Sequence, residues 1–337
     1  MSKQKPEVVV VTGASAGVGR AVVREFAKRR AHIGLIARGK ERLEAAKAEV
    51  EEYGGKALPL AVDVANAEAV EQAAQKVEDE FGGIDVWVNN AMTTIFAPLS
   101  EITPAEFKRA TEVTYLGCVY GTMSALRKML PRNRGTIVQT GSALAYRSIP
   151  LQAPYCGAKH AIVGFTDSLR CELIHESSKV HVCIVHLPAM NTPQFSWGRT
   201  RMPRQPQPVP PIFEPEVGAR AIYYAAHHRR REIFVGAPTV KAIYGQDVMP
   251  GLADRYLGRS GYNAQQSSEP VPPNRPDNLF EPAPGDYAAH GIFTDQAKNF
   301  SFQTWMTLNR TPVSLAAAGL AVAGALLWNY VARDKQR

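Results

Sequence analysis

Paired cysteines are missing from this 337-residue sequence. Its four, Cys118, Cys156, Cys171 and Cys183, contain no CxxC, which excludes a thiolate metal knuckle and a disulfide-stapled fold and points to reduced thiols. The eight histidines show no metal-ligand spacing, so no metal is expected. No signal-peptide core follows the opening MSKQKPEVVVV, and the expectation is a cytoplasmic catalytic domain. A basic stripe interleaved with aromatics is also lacking, which argues against nucleic acid as a partner. The net charge of +8 selects no partner by itself, because the cations are scattered among acidic residues.

What is present is alternation. Short apolar runs at 8–12, 32–37, 57–62, 84–88, 135–140, 180–187 and 232–236 are separated by longer stretches of helical period. Strands that are apolar at consecutive positions belong to a parallel sheet covered on both faces. The fold class is therefore α/β, a doubly wound parallel seven-stranded sheet (Rossmann fold) with a C-terminal extension. Residues 1–245 form the catalytic domain in this reading, 246–311 a Pro-rich extension, and 312–332 an apolar helix. The stretch 270–284, with six prolines, reads as a linker or as a segment laid over the surface. Residues 190–214, rich in Pro and Arg, follow the sixth strand and are a candidate lid.

The first strand runs into Thr12-Gly13-Ala-Ser-Ala-Gly17-Val-Gly19 and then a helical stretch. Glycines here allow a tight strand-to-helix turn and close approach of a pyrophosphate to the positive end of the helix dipole. The spacing is TGxxxGxG. With Asp63 after the third strand, Asn89-Asn90-Ala91 after the fourth, Ser142 after the fifth, and Tyr155-Cys-Gly-Ala-Lys159, the sequence resembles the short-chain dehydrogenase/reductase family over residues 8–236. That resemblance implies hydride transfer between a nicotinamide cofactor and a small-molecule alcohol or carbonyl. It places Gly13, Ser15, Gly17, Val18, Gly19, Asp63, Val64, Asn90 and Thr192 at the cofactor, with Asp63 toward adenine and Thr192 toward the carboxamide, and Asn89 steadying the sheet below.

Cofactor choice turns on the end of the second strand, where an acidic residue would select NAD and this chain has Ala37-Arg38. Arg38 favours NADP, whose 2'-phosphate a guanidinium binds with charge-assisted bonds. Tyr155 and Lys159 are four apart on a helical stretch and share a face. An ammonium beside a phenol is expected to lower the phenol's pKa and fit it for acid/base work. Ser142 sits where it can donate to the substrate oxygen. By the resemblance Tyr155 is the acid/base, Lys159 also binds the nicotinamide ribose and Ser142 orients the carbonyl.

Three positions depart from the family pattern: Thr114 stands where an Asn often serves a water relay, Met92 follows Asn89-Asn90-Ala91 in place of Gly, and Ala189 replaces Gly after Pro188. A Thr hydroxyl can hold a water but lacks the amide's second donor. The HHRRRE cluster at 227–232 reads as the closure of a helix C-terminus. Cys156 reads as a packed side chain. Aromatic and branched residues of the lid, Phe195, Trp197, Ile212 and Phe213, suggest an apolar pocket and a lipophilic substrate. The alternative is a non-enzymatic NADP-binding sensor held at a membrane. A homo-oligomer is expected.

One run, 313–331, has no charged residue and as a helix would span about 28 Å, near the thickness of a bilayer core. Trp328, Tyr330 and the basic residues beyond resemble an interfacial anchor. The expectation is a membrane anchor, with a helix packed on the protein or a second subunit as its rival.

Overall fold

Four consecutive valines, Val8, Val9, Val10 and Val11, are each at most 1% exposed. They form strand β1 (Val8–Thr12) in the middle of a sheet, and their side chains alternate between its two faces. Val9 and Val11 enter one core with helices α1 (Gly17–Ala27), α2 (Lys40–Glu52) and Pro215–His227. Val8 and Val10 enter the other, with helices α3 (Ala67–Phe81), Gly117–Met129 and Ala153–His175. A strand buried on both sides has no polar face to display, which is why its sequence is a continuous apolar run.

This computed structural model describes residues 5–310. The remaining sheet strands are β2 (His32–Ala37), β3 (Lys56–Ala61), β4 (Val86–Asn89), β5 (Thr136–Ser142), β6 (His181–Leu187) and β7 (Glu232–Phe234). Their order is β7-β6-β5-β4-β1-β2-β3, and every pairing is parallel. The chain winds outward in opposite directions from β1, so a crevice opens between the carboxyl ends of β1 and β4, where such folds bind ligands.

The extension is not a separate body. The boundary expected at residue 245 falls inside a helix, Ala237–Val248, and a second helix, Pro250–Ala264, follows where a linker was expected. Glycines and prolines at the helix ends obscured the helical period there. Residues Gln266–Pro270 pair antiparallel with Arg204–Pro206 of the lid. The stretch after Pro270 then runs back along the ligand edge of the sheet. The apolar run 313–331, with the anchor expected of it, lies outside the described residues. Among the described residues no helix is long and apolar enough to cross a membrane.

Candidate active site

The turn out of β1 is fixed by hydrogen bonds between two strand ends. Thr12 Oγ1 accepts from the amides of Asn90 at 3.0 Å and Ala91 at 3.1 Å, and the Asn90 side chain donates back to the Thr12 carbonyl at 3.2 Å. Gly13 takes φ +67°, and a Cβ on Gly19 would stand 2.0 Å from the Gly13 carbonyl oxygen. Backbone therefore occupies the space a side chain would need. Helix α1 begins with no acidic residue in its first turn and no side-chain cap, so the positive end of its dipole lies at the crevice, where the Gly17 amide meets the Ala288 carbonyl at 3.0 Å. These features fit the phosphates of a dinucleotide.

A cavity of about 420 Å³ opens there. Every residue assigned to the cofactor or to catalysis from the sequence lines it except Gly19, which packs behind the glycine loop. Asn89 lies beneath, 4% exposed, accepting from Trp87 Nε1 at 2.8 Å and donating to Thr122 Oγ1 at 3.0 Å and Gln139 Oε1 at 2.9 Å. This buried amide network braces β4 against β5. The Thr140 hydroxyl is also buried and has no hydrogen-bond partner among the described residues.

Ser142 ends β5 and its Oγ accepts from the Leu144 amide at 3.1 Å. Tyr155 and Lys159 come from the first two turns of Ala153–His175, with Pro154 in the first turn where its missing N–H costs nothing. Lys159 is 2% exposed, and its Nζ donates to the Thr140 carbonyl at 2.6 Å. It lies 5.5 Å from the centre of the Tyr155 ring.

Here the structure differs from expectation. Burial pushes the Tyr155 phenol up to about 12, against a smaller downward pull from the Ser142 hydroxyl. Burial also lowers the Lys159 ammonium to about 8. Lys159 spends its bond on a main-chain carbonyl instead of the phenol, so desolvation of the pocket wins over the attraction anticipated from spacing alone.

Thr114 lies in a π-helical turn, Glu112–Leu116, and its Oγ1 both donates to the Thr93 carbonyl and accepts from the Thr93 amide, each at 3.1 Å. Its one proton is committed to main chain, so it cannot also donate to a relay water. Met92 lines the cavity. Ala189 is not among the residues with positive φ, so the turn there accepts a Cβ.

At the end of β2, Arg38 donates to the carbonyls of Phe280 (2.6 Å), Leu279 (3.4 Å) and Asn278. Arg42, 6% exposed, donates to the Ala283 carbonyl and lies 5.0 Å from the Trp197 ring centre. The Asp63 carboxylate pairs with Arg109 and caps the Ala65 amide at 3.0 Å. Two arginines thus line the cavity beside the end of β2, with the nearby carboxylate paired to Arg109.

The other end of the cavity is mainly apolar, with Leu144, Ile149, Val209, Pro210, Leu257 and Met190 on its walls, but Arg147, Gln152, Gln207 and Gln265 also line it. Sequence reasoning missed Arg42, the contribution of Pro250–Ala264 to this wall, and a buried cluster under Ser142. In that cluster His186, fully buried, joins the Ser142 carbonyl at 3.2 Å to Glu232 at 3.0 Å, and Tyr146 donates to Glu232 at 2.6 Å. Burial pushes the Glu232 carboxyl up, but the bonds from His186 and Tyr146 outweigh it and hold it at about 2. Nothing in the spacing of residues 146, 186 and 232 signals that they meet.

The short chain dehydrogenase family profile matches residues 7–200. An uncharacterized oxidoreductase, YxnA, of Bacillus subtilis is 30% identical over 330 residues, 97% of this chain and 91% of its own, so the match extends through the C-terminal extension. Human 17-beta-hydroxysteroid dehydrogenase 13 is 36% identical over 167 residues, 50% of this chain and 56% of that protein. An alcohol dehydrogenase from the archaeon Thermococcus sibiricus, solved with 5-hydroxy-NADP, superposes with a TM-score of 0.59 at 28% identity over 68% of this chain and 95% of its own. Sheet order, glycine turn and these matches agree: the chain belongs to the short-chain dehydrogenase family and is an NAD(P)-dependent oxidoreductase acting on CH–OH groups.

Proposed function

We propose that the enzyme interconverts a lipophilic alcohol and its ketone or aldehyde with NADP, using Tyr155 as the proton donor and acceptor. The observation that carries this reading is the meeting of Ser142, Tyr155 and Lys159 in one cavity whose far wall is mainly apolar. The nicotinamide, when bound, supplies or takes the hydride. The protein does the rest. Tyr155, with its proton held firmly near neutral pH, gives it to the carbonyl oxygen as charge develops there, and takes it back in the reverse direction. Ser142 donates a hydrogen bond to the same oxygen. Lys159 places a positive charge beside the phenol and offers its remaining N–H groups to the ribose.

NADP over NAD is supported by Arg38 and Arg42 on the adenosine wall and by the absence of a carboxylate at the end of β2. Gly13, Ser15, Gly17, Val18, Val64, Asn90 and Thr192 surround the remainder of the dinucleotide in this reading, and Asp63 acts through its pair with Arg109. A lipophilic substrate is supported by the apolar wall and by the resemblance to a hydroxysteroid dehydrogenase. The run 313–331 would hold the catalytic domain where such substrates collect.

The test is a panel of short polar and of long-chain or polycyclic ketones, assayed with NADPH and with NADH on the native protein and Arg38→Ala. Lipophilic ketones are expected to be reduced faster, with NADPH preferred. Arg38→Ala also loses its bonds to the carbonyls of 278–280, which affects both cofactors, but should lower kcat/KM for NADPH by about tenfold more than for NADH. Equal losses with both cofactors would overturn the phosphate role of Arg38.

A further inference from the structure

Between Pro270 and Thr294 the chain forms no helix or strand, yet it is anchored. Leu279 and Ala289 are fully buried, Ala283 is 3% exposed and Phe293 8%. Leu279 fills a small apolar cluster with Ile95, Ala97 and Ala110.

The main chain of this segment meets, in order, the donors of the dinucleotide end of the cavity. Asn278, Leu279 and Phe280 present carbonyls to Arg38, Ala283 presents one to Arg42, and the Ala288 carbonyl accepts from the Gly17 amide at 3.0 Å. Asn278, Pro282 and Ala283 line the same cavity as Gly17 and Val18. Arg38 spends three N–H groups on these carbonyls, which leaves two of its five for a phosphate. One guanidinium can therefore hold the segment and a ligand together.

Both ends are fastened away from the cavity. Arg199 joins Asp277 to Glu106 at one end. At the other, Asn191 is fully buried, and its Oδ1 accepts from the Phe293 amide at 3.0 Å, while His290 pairs with Glu216 at 3.0 Å. Between them Gly291 passes so close to Thr192 that a Cβ would lie 2.7 Å from its carbonyl oxygen.

We propose that residues 278–293 form a strap that roofs the adenosine and pyrophosphate end of the cleft, so that the dinucleotide enters and leaves only when the strap lifts. This rests on the cofactor reading above. The strap covers the cofactor site while its carbonyls occupy donors of Arg38, Arg42 and Gly17, and the strength of its anchors sets the rate of cofactor exchange without touching the reacting atoms.

The test uses the full chain loaded with NADPH and chased with excess NADP, following nicotinamide fluorescence in native protein, Leu279→Ala and His290→Ala. Amide hydrogen exchange over 278–293 is measured in parallel, with and without NADPH. Leu279→Ala should release NADPH at least about tenfold faster and His290→Ala about two- to fivefold faster, and NADPH should slow exchange in the strap of the native protein. Should Leu279→Ala fail to fold, His290→Ala, at an exposed ion pair, carries the comparison. Faster amide exchange in the strap with an unchanged release rate would overturn the strap while leaving the cofactor reading intact. A native protein that binds no dinucleotide would overturn both.

Discussion

Lys159 Nζ donates to the main-chain carbonyl of Thr140 at 2.6 Å from a position only 2% exposed. An ammonium held there has lost most of its water, and burial brings its pKa down from 10.5 to about 8. The folded state therefore binds this proton more weakly than the unfolded chain does.

Below pH 8 Lys159 is charged in both states and its burial costs stability; between pH 8 and 10.5 native stability recovers as the folded protein sheds the proton first. Lys159→Met removes the charge. At pH 7 the variant is expected to lose oxidoreductase activity yet melt a few degrees higher than native, about 2–5 °C. Calorimetry at pH 7 and pH 10 checks this: the gap should shrink at the higher pH, and a variant less stable than native at pH 7 would contradict it.

Glu106 gives a pH dependence of the same sign in an acid window. It is 3% exposed, and although burial pushes its carboxyl up, bonds from Arg201, the Thr103 amide and Arg199 outweigh this and hold it at about 2. With a folded pKa below the ordinary 4.5, its contribution is complete above 4.5 and is lost as pH falls toward about 2. Glu106→Gln leaves Arg201 without this carboxylate and Arg199 with Asp277 alone, and should cost about 1–3 kcal/mol at pH 7, with the difference from native narrowing in acid. Urea unfolding at pH 7 and at pH 3 measures it. A constant difference at both would show that Glu106 does not titrate with folding.

Much of this is legible in the residues. Runs such as VVVV at 8–11 declare a doubly covered strand, and a Tyr and Lys four apart on a helix share a face whatever surrounds them. Local periodicity says nothing about tertiary burial, which is why the spacing predicts a lowered Tyr155 phenol and the dry pocket raises it. The strap is hidden for a related reason. Its prolines and polar residues carry no period, and its position depends on contacts across some 240 residues, such as Arg38 to Phe280. The cluster of Tyr146, His186 and Glu232 likewise exists only once β5, β6 and β7 are adjacent.

The central claim is that Tyr155 moves the proton. Single-turnover reduction of a lipophilic ketone by enzyme preloaded with NADPH tests it most directly, comparing native protein with Tyr155→Phe. The phenyl ring keeps the shape of the wall and loses only the hydroxyl. Hydride transfer is predicted to slow by about 10²–10⁴-fold with NADPH affinity within about twofold of native. Reduction by Tyr155→Phe at the native rate would contradict the account.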